Sequence, residues 1–160
     1  MPARAEAAPA PSPRDDAIRL LARREYARAE LGQRLAARAH SPEAIEACLD
    51  ALAAEGLQSD TRFVESFLRS RVARGQGPLK VRAELERRGI ARGLIAAALA
   101  GAEREGEVDW FELAREVLER RFSGPGDTPR ERARRERFLA SRGFDFEQIR
   151  HALERLARSD

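Results

Sequence analysis

The sequence predicts an all-α fold, an elongated array of three tandem three-helix repeats. Three observations carry it. The composition favours helix: 30 alanines and 29 arginines stand against five valines, five isoleucines and two threonines in 160 residues. β-branched residues are what a sheet would need. Helix-start signals recur along the chain, with glycines between them. One fifteen-residue pattern appears three times.

The elements follow in order. Residues 1–11 contain Pro2, Pro9 and Pro11 and too little apolar surface for a core, so they read as a disordered tail. Ser12-Pro13-Arg14-Asp15 opens the first helix: a cap, proline at the first position and an acid three residues after the cap. Ser41-Pro42-Glu43 repeats the cap-proline signal, and Asp60 precedes the apolar run Phe63, Val64, Phe67, Leu68. Asp109 is followed three residues on by Glu112, Thr128-Pro129 by Glu131, and Asp145 by Gln148. Stops are expected at Gly32, Gly56, Gly75 with Gly77-Pro78, Gly89, Gly101, Gly106, Gly124 with Pro125-Gly126, and Gly143. The result is about nine helices of roughly ten to fifteen residues.

The repeat fixes how these helices group. Leu85, Arg88, Gly89, Ile90, Ile95 and Leu99 recur at the same offsets as Leu139, Arg142, Gly143, Phe144, Ile149 and Leu153. An earlier copy keeps Leu35, Arg38, Ile45 and Leu49 but has Ala39 and His40 in place of the glycine-apolar pair. Here Ser41-Pro42 is expected to supply the punctuation. Each leucine lies near the end of a second helix, and the glycine suits the left-handed turn that stops it. The isoleucine and leucine four apart point inward from a third helix. One such unit buries little alone, so three stack. The expected domains are 12–58, 59–106 and 107–160.

Several function classes are excluded by residue type. Cys48 is the single cysteine, so no disulfide framework or cysteine-cluster zinc site is expected. His40 lies in a turn and His151 in mid-helix, neither with metal-ligand partners at suitable spacing. No glycine-rich phosphate loop ends in Lys-Ser/Thr, and no acid pair stands out as general acid and base. No catalytic residue, metal or cofactor is therefore expected. No apolar run approaches the roughly 20 residues of a membrane span, and the first residues lack a signal-peptide core. A soluble, cytoplasmic protein is expected.

Charge is unevenly distributed. The net of +3 divides into −1 over residues 1–58 (eight basic, nine acidic), +4 over 59–106 (ten and six) and 0 over 107–160 (twelve of each). In the middle repeat Arg69, Arg71 and Arg74 end one helix, and Lys80, Arg82, Arg87 and Arg88 occupy the next. These residues fit two readings. One is a patch for an acidic protein groove or DNA phosphates. The other is a solvated helix face whose cations complement the helix dipole. Arg130, Arg134 and Arg137 share a helical face in the third repeat, where Glu131–Arg135 and Arg132–Glu136 are spaced to pair. The same two readings apply, partner contact or a charged exposed helix. Phe63, Phe67, Trp110, Phe111, Phe138 and Phe144 fall at apolar helix positions and are expected in the core, as is Cys48. Tyr26 and Phe122 adjoin basic residues and are the aromatics expected at the surface.

Two stretches carry a family resemblance. Gly56-Leu57-Gln58-Ser59-Asp60-Thr61-Arg62-Phe63-Val64-Glu65-Ser66-Phe67-Leu68-Arg69-Ser70-Arg71 and Gly77-Pro78-Leu79-Lys80-Val81-Arg82-Ala83-Glu84-Leu85-Glu86-Arg87-Arg88-Gly89-Ile90 resemble the signature of the RecX family. Leu20–Leu31 is similar to its opening helices and Phe138–Phe144 to its C-terminal Arg-Gly-Phe element. The resemblance spans roughly residues 15–157. It implies curved arrays of three-helix repeats that lodge in the groove of the RecA filament on single-stranded DNA. It implies a regulator that limits RecA recombinase, ATPase and coprotease activities in DNA repair and the SOS response. RecA and its filament are then the partners, with weak direct DNA binding possible, no membrane and a monomeric state. The ten cations above become the expected contact residues. The alternatives are a helical repeat that binds nucleic acid without RecA, and an adaptor whose basic patch is incidental.

Overall fold

The computed structural model describes residues 9–158, and every regular element among them is helical. The helices are α1 (Pro13–Leu21), α2 (Arg28–Ala37), α3 (Pro42–Ala54), α4 (Asp60–Ala73), α5 (Pro78–Arg87), α6 (Arg92–Arg104), α7 (Trp110–Arg121), α8 (Pro129–Ser141) and α9 (Phe146–Arg158). They run from 9 to 14 residues, so α1 is slightly shorter than expected. Pro9–Ser12 are exposed and non-helical; the rest of the expected tail, residues 1–8, lies outside the described residues.

The capping residues act as their chemistry dictates. Ser12 Oγ accepts the Asp15 N–H while Asp15 accepts the Ser12 N–H. Ser41, Asp109 and Thr128 accept N–H groups in the first turns of α3, α7 and α8. Asp145 and Gln148 exchange hydrogen bonds at the start of α9. Each satisfies donors that have no partner within the helix.

Two expected stops are wrong. Gly32 lies inside α2 and Gly101 inside α6. A Cβ at Gly32 would stand 3.5 Å from Leu49 Cδ1, so the small residue there serves close packing of α2 on α3. The glycines that do end helices take the left-handed conformation: φ is 81° at Gly89 and 94° at Gly143. Ala39, their counterpart in the first repeat, takes it too, at 64°. The turn is thus built into the repeat whether or not glycine fills it.

The chain divides into two compact units, Met1–Asp60 and Thr61–Asp160. In the first, α1–α3 bury Ala17, Tyr26, Leu31, Leu35, Ile45, Leu49 and Leu52, with Cys48 half-buried against them. Polar ties cross this small core. Arg14 makes a two-pronged contact with Glu55 at 2.6 and 3.0 Å, and Arg28 binds Glu46 and Asp50. Gln58 donates to the Tyr26 carbonyl, and Asp60 accepts the Arg28 N–H. Tyr26, expected at the surface, is buried, with the Arg24 guanidinium 3.6 Å above its ring.

The second unit holds α4–α9. Phe63, Val64, Phe67, Leu68, Val81, Leu85, Ile95 and Leu99 are buried in its first half. Ala114, Val117, Leu118, Leu139, Phe144, Ile149, Ala152 and Leu156 form one cluster in its second. The pattern leucines Leu35, Leu85 and Leu139 are all fully buried. Two sharp turns meet in this unit: the Gly77 N–H donates to the Arg142 carbonyl at 2.7 Å, and the Leu79 N–H to the Gly143 carbonyl at 2.9 Å.

Candidate partner-binding surface

The charged residues of the middle repeat do not form one patch. Helix geometry separates them. On α4, Phe67 and Leu68 both face inward, and the flanking arginines leave on different sides. Arg71 reaches α5 and ion-pairs with Glu84 at 3.2 Å. Arg69 is exposed beside Leu94, Ala97 and Ala98 of α6. Arg74 is exposed just beyond the helix end.

Arg71 and Arg88 are half-buried. Their guanidinium carbons stand 4.5 and 5.2 Å from the Phe67 ring centroid, and Arg88 is also 5.9 Å from that of Phe63. Each distance is within cation–π range. These two residues fasten α4 to α5 and roof the aromatic pair.

Lys80, Arg82 and Arg87 are different. All three are exposed on α5, and none has an ion pair among the described residues. Val81 and Leu85 point inward, which puts Lys80 and Arg87 on one flank and Arg82 with half-exposed Leu79 on the other. Lys80 also abuts the Gly77–Gly143 contact, since a Cβ on Gly143 would overlap Lys80 Cβ. That contact brings exposed Arg142 of the α8–α9 turn close to Lys80. Sequence reasoning missed Arg142 as a surface residue, because its neighbour is 62 positions away in the chain.

The α8 cations also diverge. Arg130 is exposed near the helix start. Arg134 lies 5.9 Å from the Phe122 ring, while Arg137 lines a groove with Phe146 and Ile149. The expected Glu131–Arg135 arrangement takes another form. The Glu131 carboxylate accepts the Asp127 and Thr128 N–H groups, and Arg135 donates to the carbonyls of Gly124, Ser123 and Glu131. Phe122 is half-buried, packed edge-to-face on Phe138. Phe111, expected in the core, is instead 40% exposed, edge-on to His151.

The remaining titratable groups point to structure. Burial pushes the Cys48 thiol up, away from reactive thiolate. A hydrogen bond from His40 holds the Asp16 carboxyl below its ordinary range, helped by Arg38 and Arg19. Among the described residues no three His, Cys, Asp or Glu side chains stand together as a metal cluster. No helix there is long and apolar enough to cross a membrane.

These features define a class: an all-α tandem-repeat protein that presents charged helix faces from three-helix modules. Three RecX domain models match it in order: the first three-helix domain over residues 14–52, the second over 59–99 and the third over 107–153. The chain belongs to the RecX family. It is 63% identical over 143 residues to the regulatory protein RecX of Chromohalobacter salexigens, covering 89% of this chain and 91% of that one. The Halorhodospira halophila regulatory protein RecX is 51% identical over 141 residues, with 87% and 84% covered. The same fold is seen in the crystal structure of RecX from Lactobacillus salivarius, at 20% identity and a TM-score of 0.77 over 90% of this chain and 94% of that one. A second crystal structure of regulatory protein RecX gives a TM-score of 0.72 at 20% identity over 89% and 73%.

Proposed function

We propose that this chain binds the RecA recombinase and its filament on single-stranded DNA, and restrains the filament's ATPase, strand-exchange and coprotease activities. Its setting in this reading is the cytoplasm, in DNA repair and the SOS response. It acts by contact, without catalysis, through modules at residues 12–58, 59–106 and 107–160. Family membership supports a regulatory role. The observation that carries the contact site is the exposed, unpaired set Lys80, Arg82 and Arg87 on α5. Rigid backbone with unpaired cations suits an acidic protein groove or the phosphates within it. Arg69 and Arg74 at the end of α4, and Arg130, Arg134 and Arg137 on α8, are further contacts in this reading, each on its own face and not continuous with α5. Arg71 and Arg88 support the α5 set from below.

The test is RecA ATPase on single-stranded DNA, titrated with this protein. Inhibition at substoichiometric protein is expected, and charge reversal of Lys80, Arg82 and Arg87 weakens it. No effect at equimolar protein overturns the proposal. Tight, steeply salt-dependent binding to single-stranded DNA without RecA would favour an independent nucleic-acid role instead.

A further inference from the structure

The third repeat carries a feature that its neutral charge count hides. α8 and α9 enclose an open groove of about 500 Å³, within the range of sites that hold a ligand or a partner's side chains. Its floor is apolar: Ala140 of α8 with Ile149 and Leu153 of α9. At its mouth stands Phe146, the first residue of α9, with 75% of its surface exposed. Phe63, Phe67 and Phe144 are each at most 8% exposed and Phe111 is 40% exposed, so this ring is the most exposed phenylalanine among the described residues.

The rim is cationic. Arg132 and Arg137 border the groove from α8 and have no ion pair among the described residues. Arg150, on the α9 side, is already matched with Glu154 at 3.9 Å. Glu136 is the one acid there not so matched, which leaves a net positive rim around an apolar floor.

One end is bordered by Pro125, in a segment tied to α8 by hydrogen bonds. Arg135 holds the carbonyls of Ser123 and Gly124, and Glu131 holds the Asp127 N–H. Gly126 is pressed onto α8, where a Cβ would come within 2.9 Å of the Arg132 nitrogen. The segment that reads from sequence as a helix stop thus forms a hydrogen-bonded wall of the groove. A preformed pocket loses less freedom when it binds.

We infer that this groove takes an acidic segment of the recombinase bearing an aliphatic or aromatic anchor side chain. The anchor packs on Phe146, Ile149 and Leu153, and the flanking carboxylates meet Arg132 and Arg137. This rests on the proposed function, and makes the third repeat a second contact besides α5.

The experiment uses the full chain with RecA filaments on single-stranded DNA. Phe146→Ser and the double variant R132E/R137E are compared with wild type for the concentration that halves ATPase. Each is expected to raise it by about tenfold, with unchanged circular dichroism, while Phe146→Leu retains near wild-type potency. Amide hydrogen exchange in α8–α9 should slow on filament binding. Wild-type potency in both polar variants, with unchanged exchange there, overturns the groove contact and leaves the α5 reading standing. Failure of the wild type itself to inhibit overturns both. A concentration-dependent dimer lost in Phe146→Ser would assign the groove to a second copy and also overturn it.

Discussion

Gly77 and Arg142, 65 residues apart, share a hydrogen bond of 2.7 Å between backbone N–H and carbonyl. Gly77 is the N-cap of α5 and has no side chain to satisfy the first turn. Arg142 is the C-cap of α8. The loose carbonyls at the end of one helix therefore serve the loose N–H groups at the start of another, and the two helix dipoles meet with opposite signs. A second bond, Leu79 to Gly143, completes the clasp. It fixes Lys80 beside Arg142, so the candidate surface depends on two glycines that carry no charge.

A Cβ on Gly77 would lie 2.5 Å from the Gly143 carbonyl, and Gly143 has φ of 94°. Gly143→Ala and Gly77→Ala should each cost about 2 kcal/mol or more in urea unfolding. Gly56→Ala is the control: φ is 74° with open space around it, so about 1 kcal/mol is expected. Equal costs at all three sites would mean that the clasp contributes nothing.

Ala39 gives the opposite sign. It holds φ of 64° where its counterparts are glycine. A left-handed alanine costs about 1 kcal/mol that glycine avoids. Ala39→Gly should therefore raise the stability of the Met1–Asp60 unit by about 1 kcal/mol, read as a higher urea midpoint at constant slope.

Much of this architecture is legible in the sequence, and most of what is not has a common cause. The caps Ser12, Ser41, Asp109 and Thr128 are local chemistry within four residues. The buried leucines Leu35, Leu85 and Leu139 follow from periodicity. Gly101 misleads because a helix interior tolerates a glycine at modest cost, and Gly32 because it serves the close approach of Leu49, a neighbour not adjacent in sequence. The same holds for Arg71, whose role depends on Glu84 across a turn. It holds for Phe146, whose exposure depends on how α9 rotates against α7 and α8. Charge counting located the basic repeat but could not tell a roofing arginine from a free one.

Acid should act on the first unit through Asp16. Its side chain is 5% exposed, and His40 Nε2 stands 2.7 Å from Oδ2. An ionised carboxylate only accepts, so the ring donates. The Asp16 carboxyl is held below its ordinary range, chiefly by this bond. A depressed carboxyl stabilises the fold above its unfolded value and loses that contribution as pH falls through the lower native one. Melting temperature should thus drop below about pH 4. In Asp16→Asn it should be lower than wild type at neutral pH, with the gap narrowing at about pH 3. A constant gap would remove Asp16 from the acid response.

Two kinds of arginine, one packed between helices and one exposed, should separate in stability and in inhibition. Arg71 and Glu84 have side chains 17% and 14% exposed. Arg71→Ala strands a half-buried carboxylate and uncovers the Phe67 ring, and should cost about 1–3 kcal/mol in urea unfolding. Arg82 is exposed without an ion pair among the described residues, so Arg82→Ala should stay within about 0.5 kcal/mol of wild type. Inhibition of RecA ATPase should rank them differently. The triple reversal K80E/R82E/R87E keeps the fold yet should need about tenfold more protein for half-inhibition, with a shallower salt dependence. Arg71→Ala, measured where it is fully folded, should inhibit within about twofold of wild type, since its charge is already matched by Glu84. If Arg71→Ala instead loses inhibition as strongly as the triple reversal while remaining folded, the guanidinium over Phe67 is itself a contact. The surface would then lie across α4 and α5 together, not on the outer flanks of α5.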